Sequence, residues 1–194
     1  MNETLVIALG DNLSHYEQSN HDNSTLMGFR EMTQNDIPTL VELWRLSYPE
    51  RLVEQTPISE VIADWTASFN DEYGKLEKAA SLVVERDRLI FGAIQTVIDA
   101  PWDQTPTGPF IIELLVHPKY RRAGIGKALL TEALRQLKQR GYQSAGLRVE
   151  NDNLPAQTLY QVVGFTEWMP GSQTELGAKA QVMRHRASMH QRIA

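Results

Sequence analysis

The chain has 194 residues, of which 42% are hydrophobic and 22% are charged, and its formal net charge is −5. This length and composition fit one globular domain with a single core, and the absence of cysteine excludes disulfides, thiolate metal sites and cysteine nucleophiles. The acidic balance argues against a nucleic-acid partner, which needs clustered Lys and Arg, although it suits a cationic substrate.

No segment near the start resembles a membrane anchor or a signal peptide. The longest early apolar run, residues 5–9, is far shorter than the roughly 20 residues that span a bilayer. Glu3 stands where a signal peptide carries positive charge. We therefore expect a cytoplasmic protein that does not bind a membrane.

Residues 1–26 differ in composition from the remainder of the chain. They contain four acidic residues and no Lys or Arg, and residues 12–25 offer little apolar surface to bury. We interpret 1–26 as a flexible acidic leader before a domain that covers 27–194. In the alternative interpretation, residues 4–9 add a strand to a sheet edge, within the chain or across a homodimer.

Apolar spacing predicts alternating strands and helices in the domain. The predicted elements of its first half are strand 28–32, helices 37–48 and 58–69, and the hairpin strands 80–85 and 89–98. Those of its second half are the buried strand 110–116, helix 125–140, strand 144–149, helix 153–163, and strands 165–168 and 181–185. This order predicts an α+β fold with helices on both faces of the sheet.

The segment that joins strand 110–116 to helix 125–140 carries the clearest chemical signal. Gly124 and Gly126 allow a close approach of the backbone, and the helix that starts there directs unpaired N–H groups and its positive dipole end at one point. That point suits a pyrophosphate, although a lone G-x-G is also typical of a tight turn. Three side chains would add mobile positive charge around it: Arg121, Arg122 and Lys127.

Two common phosphate-binding motifs are excluded at this segment. Leu129 stands where G-x-G-x-x-G requires a third glycine. The run also lacks the Gly-Lys-Ser/Thr ending of a P-loop. A different phosphate-binding motif is needed to explain the glycines.

Arg121, Gly124 and Gly126 fit the pattern Arg or Gln, two residues, Gly, any residue, Gly or Ala. This pattern resembles the acetyl-CoA-binding segment of the Gcn5-related N-acetyltransferases, the GNAT family. Residues 153–165 resemble the family's second motif of Asn, Ala, Leu-Tyr and Gly-Phe. The chain departs from the family at Arg122 and Ala123, where Gly followed by Lys or Arg is common, and this makes the loop stiffer and less basic.

The resemblance implies a mixed, mostly antiparallel sheet and direct transfer of acetyl from the cosubstrate acetyl-CoA to a primary amine, without a metal ion. It also implies that strand 110–116 splays from its neighbour so that its backbone pairs with pantetheine. The residues that it assigns to the cofactor are Leu114, Leu115, Val116, Arg121, Arg122, Ala123, Gly124, Ile125, Gly126, Lys127 and Asn153.

Two residues are the candidates for acid–base catalysis. Tyr160 stands at the position of the family's general acid, and a phenol of pKa about 10 can protonate a leaving thiolate, although its ring could also simply pack in the core. Glu113 is the one acid in an apolar strand and would deprotonate or hold an ammonium group, unless it is a solvated carboxylate. His117 fits a structural role better, while Trp102 and Asp103 are weaker candidates for the acceptor site.

Two rival functions remain open at this stage. A CoA-binding regulatory module would keep the loop that contains Gly124 and Gly126, called here the glycine loop, and would need neither Tyr160 nor Glu113. A transferase could also use another short acyl-CoA. The acceptor is equally open among small amines, aminoglycosides, free amino acids and peptide N-termini, because acceptor loops vary most within a fold.

Overall fold

The computed structural model describes residues 2–10 and 28–169, and these residues form one eight-stranded sheet with five α-helices. The strands are β1 (Asn2–Ala8), β2 (Gly28–Glu31), β3 (Lys75–Leu76), β4 (Leu82–Arg86), β5 (Leu89–Ile98), β6 (Pro109–Val116), β7 (Ser144–Glu150) and β8 (Thr166–Glu167). The helices are α1 (Ile37–Ser47), α2 (Glu50–Gln55), α3 (Ile58–Phe69), α4 (Ile125–Gln139) and α5 (Leu154–Val163).

The sheet has the order β2-β4-β5-β6-β7-β1-β8, and β3 pairs with one end of β5. Every pairing is antiparallel except the one between β6 and β7, which is parallel. The predicted mixed, mostly antiparallel sheet is therefore confirmed.

Helices cover both faces of the sheet because each presents an apolar stripe to it. On one face α1 and α3 pack against Val83, Ala93 and Leu115. On the other face α4 and α5 pack against Ile94 and Leu114. All eight residues of β6 are buried, as expected for a central strand with a continuous apolar sequence.

Strand β1 corrects the prediction of a flexible leader over 1–26. Residues 2–8 pair antiparallel with β7 on one side and with β8 on the other, so they lie inside the sheet of this chain. Leu5, Ile7 and Leu9 alternate with more exposed residues and are buried in the core, which gives the strand a fixed register. Residues 11–27 and the predicted strand 181–185 lie outside the described residues.

Two elements were missing from the sequence prediction. Helix α2 follows Pro49 and has only six residues, and its two apolar residues that pack against the core, Leu52 and Val53, are too few to show a helical period. Strand β3 pairs with β5 over only two residues. Among the described residues, no helix is long and apolar enough to cross a membrane.

Candidate functional site

A gap opens in the sheet because β6 and β7 pair over only two positions. Phe110 lies opposite Gly146 and Ile111 lies opposite Leu147, and the pairing ends there although both strands continue. The remaining part of β6, residues 112–116, therefore borders a gap. Backbone polar groups on this side of β6 have no strand partner and need other hydrogen bonds.

The register between β5 and β6 determines which backbone groups face the gap. His117 N–H donates to the Phe91 carbonyl at 2.9 Å. Because hydrogen bonding alternates along an antiparallel pair, Leu115 also pairs with β5, while Leu114 and Val116 face away from it. Of the three residues predicted to hold pantetheine, Leu114 and Val116 thus present backbone groups to the gap, whereas Leu115 does not.

The loop after β6 ends in an N-terminus of α4 that no side chain caps. The N-cap residue Gly124 has φ 81°, a left-handed conformation that glycine adopts without strain, and no side chain there accepts from the first-turn N–H groups. A Cβ on Gly126 would contact Val116 and Leu159 at an ordinary 3.5 Å. Packing within the protein therefore does not require glycine at 126. The first-turn residues are Ile125, Gly126 and Lys127.

The Arg121 side chain is held in place, which corrects the prediction that it supplies mobile charge. Its guanidinium donates to the Val116 carbonyl at 3.2 Å and to the Ser47 carbonyl, the last of α1, at 2.7 Å. A cation is favourable there because helix C-termini are negative. Arg121 therefore joins α1 to the glycine loop, and the exposed loop residues that follow it are Arg122, Ala123 and Gly124.

Asn153 and His117 both stabilise local turns. The Asn153 side chain accepts from the Ala156 N–H at 3.2 Å and so caps α5. The His117 Nδ1 accepts from the Lys119 N–H at 3.1 Å, and the imidazole packs against Tyr120. A contact of Asn153 with the cofactor stays a prediction.

Glu113 is buried, so the interpretation as a solvated carboxylate is wrong. Only 6% of the residue is exposed, and the Tyr48 hydroxyl donates to Oε1 at 2.9 Å and to Oε2 at 3.2 Å. Burial raises the pKa of Glu113 to about 8, and hydrogen bonds from Tyr48 and the Leu114 N–H limit the rise. A carboxyl with this pKa can gain and lose a proton near neutral pH.

A bulge in β6 lies directly beside Glu113. Gln95 of β5 is opposite Glu113 and Thr96 is opposite Ile111, so Ile112 is the additional residue. Bulges change the direction of neighbouring side chains and are frequent next to active sites. Gln95 itself is only 2% exposed, and its amide nitrogen has no hydrogen-bond partner.

The Tyr160 ring packs in the core, and a role of its hydroxyl as general acid stays a prediction. Its ring is fully buried and packs edge-on against Phe165, with 5.7 Å between centroids, whereas its hydroxyl has no hydrogen-bond partner. Burial, and then the negative charge of Glu113, raise the pKa of Tyr160 well above 10. The hydroxyl is therefore protonated at neutral pH, and a negative charge on Glu113 makes its ionisation still less favourable.

The two weaker acceptor-site candidates lie in the loop between β5 and β6. Trp102 packs against Tyr73 and Phe110, with ring centroids 5.8 and 6.2 Å apart. The Asp103 carbonyl accepts from Arg148 at 2.7 Å. These contacts hold the loop, and a role of either side chain toward an acceptor stays a prediction.

Residues 37–165 match the family model of the acetyltransferase (GNAT) family. This chain belongs to the GNAT family. The matched range includes Glu113, the glycine loop and Tyr160, and it confirms the resemblance that the sequence motifs indicated.

Relatives of this GNAT protein include several named N-acetyltransferases. The chain is 34% identical to the [ribosomal protein bS18]-alanine N-acetyltransferase of Haemophilus ducreyi over 84 residues. These residues cover 43% of this chain and 52% of that protein. The chain is 28% identical to an N-alpha-acetyltransferase of Sulfurisphaera tokodaii over 145 residues. These residues cover 71% of this chain and 79% of that protein. A match to the mycothiol acetyltransferase of Saccharomonospora viridis, 46% over 50 residues, covers 26% of this chain and 16% of that protein. The chain thus spans about half or less of two of these three relatives.

Solved structures share the same fold. The PaiA N-acetyltransferase of Thermoplasma acidophilum, in complex with coenzyme A, superposes with a TM-score of 0.56 at 23% identity, covering 72% of this chain and 89% of that one. An aminoglycoside N-acetyltransferase in complex with CoA has a TM-score of 0.55 at 18% identity, covering 82% and 95%. At these identities the likeness establishes the GNAT fold.

Two neighbours of Glu113, Tyr48 and Gln95, were not among the residues that the sequence predicted. Gln95 could have been found by the signal that identified Glu113, because it is a long polar side chain in the apolar strand β5. Tyr48 gave no local signal, since it is 65 residues from Glu113 in the sequence. Only the packing of α1 on the sheet brings the phenol to the carboxyl.

Proposed function

We propose that this GNAT protein transfers acetyl from acetyl-CoA to a primary amine by direct attack in a ternary complex. The observation that carries the proposal is the position of Glu113: a buried, titratable carboxyl on the strand that borders the gap. Family membership and the N-acetyltransferase relatives support the reaction class.

The site has separate contacts for two parts of the cosubstrate acetyl-CoA, its pantetheine arm and its pyrophosphate. Pantetheine would lie in the gap, where its amides can pair with the Leu114 carbonyl and the Val116 N–H. The pyrophosphate would lie at the N-terminus of α4, where N–H groups and the helix dipole favour an anion. Coenzyme A complexes of structural neighbours support this choice of cosubstrate.

The chemistry then needs one base and one acid. Glu113 accepts a proton from the ammonium form of the acceptor, directly or through water, and the neutral nitrogen attacks the thioester carbonyl. The C–S bond breaks as the amide forms, and the leaving thiolate takes a proton from the Tyr160 hydroxyl. Tyr160 recovers a proton from Glu113, while the second proton that the nitrogen loses as the amide forms passes to solvent, so one proton is released per turnover.

A panel of amines tested for CoA release, with acetyl-CoA and with propionyl-CoA, tests the reaction and its donor. We expect turnover with at least one cationic amine and a preference for acetyl-CoA. Binding of acetyl-CoA without turnover of any amine would instead indicate a CoA-binding regulatory module.

The Tyr160→Phe variant tests the proposed acid, because phenylalanine keeps the ring packing and removes only the hydroxyl. We expect kcat to fall by about 10²–10⁴-fold, the typical contribution of general acid catalysis, with little change in the Kd of acetyl-CoA. An unchanged kcat under conditions where chemistry limits the rate would leave Tyr160 as a core residue only.

A further inference from the structure

Gln95 carries a buried hydrogen-bond donor that nothing in the described chain satisfies. The residue is 2% exposed and its amide nitrogen has no partner. An unpaired buried donor destabilises the folded state, so one that lies opposite the proposed base needs an explanation. Thr131 also has an unpartnered polar atom, but it lies on α4 and not opposite Glu113.

The position of Gln95 places this donor next to the proposed base. Gln95 and Glu113 are opposite each other on antiparallel strands, with Cα atoms about 5.5 Å apart for such a pair, so their side chains leave the same face of the sheet. The Glu113 carboxylate has about four lone-pair sites, and it accepts hydrogen bonds from the Tyr48 hydroxyl and the Leu114 N–H. One face of the sheet thus holds the carboxylate and an unpaired donor opposite each other.

Building on the proposed function, we propose that Gln95 selects acceptors that carry a neutral carbonyl next to the reacting amine. The α-aminoacyl group of an amino-acid amide or a peptide N-terminus has this pattern. Its amine faces Glu113, and its carbonyl oxygen accepts from the Gln95 amide. A simple alkylamine satisfies Glu113 alone and leaves the Gln95 donor unpaired.

Glu113 also distinguishes among acceptors that carry a carbonyl group next to the amine. A free amino acid would place its own carboxylate near Glu113, and once Glu113 has ionised to act as the base, the two negative charges in a buried site repel each other. An amide carbonyl accepts the same hydrogen bond without that repulsion. The site therefore favours alaninamide over alanine. Gln95 is a positioning residue in this scheme and takes no part in proton transfer.

The test compares alaninamide with isopropylamine, which has a methyl group in place of the carboxamide. The full chain is assayed at saturating acetyl-CoA as wild type and as Gln95→Met, a variant of similar size without the donor. We expect kcat/KM for alaninamide to fall about tenfold in the variant and that for isopropylamine to change less than about twofold. Dividing the two ratios cancels the different basicities of the amines.

Thr131→Val is the matched control, since it also removes a buried, unpartnered polar atom, and we expect it to affect both amines equally. If Gln95→Met does not fold, Gln95→Leu also removes the donor without adding a charge beside Glu113, and the same selective loss is expected. An equal fall for both amines, or no fall for either, would overturn the inference in favour of a structural or water-bound amide.

The same assay separates this inference from the proposed function. If the wild type acetylates isopropylamine or another amine but does not acetylate alaninamide, the inference fails and the proposed function stands. If the wild type acetylates no amine at all, the proposed function fails and the inference falls with it.

Discussion

Tyr48 influences the protonation of Glu113 through one hydroxyl proton that is shared between the two carboxylate oxygens. Trp44 stacks on the Tyr48 ring with 5.0 Å between centroids, so the phenol has a fixed direction. Its hydroxyl donates to both carboxylate oxygens and thereby stabilises the charged form of a buried acid.

We predict that Tyr48→Phe moves the rising limb of the pH–rate profile to higher pH. The variant loses the hydrogen bond that lowers the pKa of Glu113, so a higher pH is needed to ionise the base. The kcat on the alkaline plateau should stay within a few fold of the wild type. Superimposable profiles of kcat against pH would show that the hydrogen bond does not tune the base.

Glu113 also predicts a pH-dependent stability. Its pKa is about 8 in the folded chain against an ordinary 4.5, so between these values the folded state holds a proton that the unfolded state has lost. The stabilisation from this proton is complete below about pH 4.5 and is lost as pH rises through about 8.

We therefore predict that Glu113→Gln, which does not titrate, gains stability relative to the wild type as pH rises from 5 to 8. Each unit of pKa displacement corresponds to about 1.4 kcal/mol, so a difference of several kcal/mol is expected. Urea unfolding at several pH values measures the free energy of unfolding of both proteins. A pH-independent difference would contradict the raised pKa, while kcat of the variant should be strongly reduced.

A negative charge in the first turn of α4 should affect cofactor binding and helix stability in opposite directions. We predict that Gly126→Asp abolishes acetyl-CoA binding by calorimetry while the helix stays folded or becomes slightly more stable. An acidic residue in the first turn favours a helix by about 0.3–1 kcal/mol but repels a phosphate. Gly126→Ala is the matched control, since its Cβ meets only ordinary contacts and adds no charge. Equal affinity of the Asp variant and the wild type would place the pyrophosphate elsewhere.

Elements with a strong internal period could be predicted from the sequence, and those that depend on distant partners could not. Helices α1, α3, α4 and α5 were located because their apolar stripes are local. Strand β1 was ambiguous because seven residues of alternating burial do not reveal that two strands from the far end of the chain enclose them. The same limit hid Tyr48, whereas Glu113 was found because an acid in an apolar strand is itself unusual.

At the scale of the whole molecule, β1 should be essential for stability. We predict that a chain starting at Met27 unfolds at much lower urea concentration than the full chain, because β7 and β8 lose their shared partner and the core loses Leu5 and Ile7. The single substitution Ile7→Ala should cost about 2–5 kcal/mol by the same argument. Unchanged urea midpoints for both proteins would show that the N-terminal residues are dispensable after all.

The place of β1 also determines the order in which the sheet can be completed during synthesis. Asn2 pairs with Glu150, so β1 leaves the ribosome long before β7 and cannot pair with it until residues 144–150 have been translated. Contacts of such long sequence separation form slowly, since a large loop must close first. The half of the sheet that contains β2, β4, β5 and β6 can assemble earlier, and β7, β1 and β8 join it last, leaving the apolar side of β1 exposed to chaperones and to aggregation in the interval.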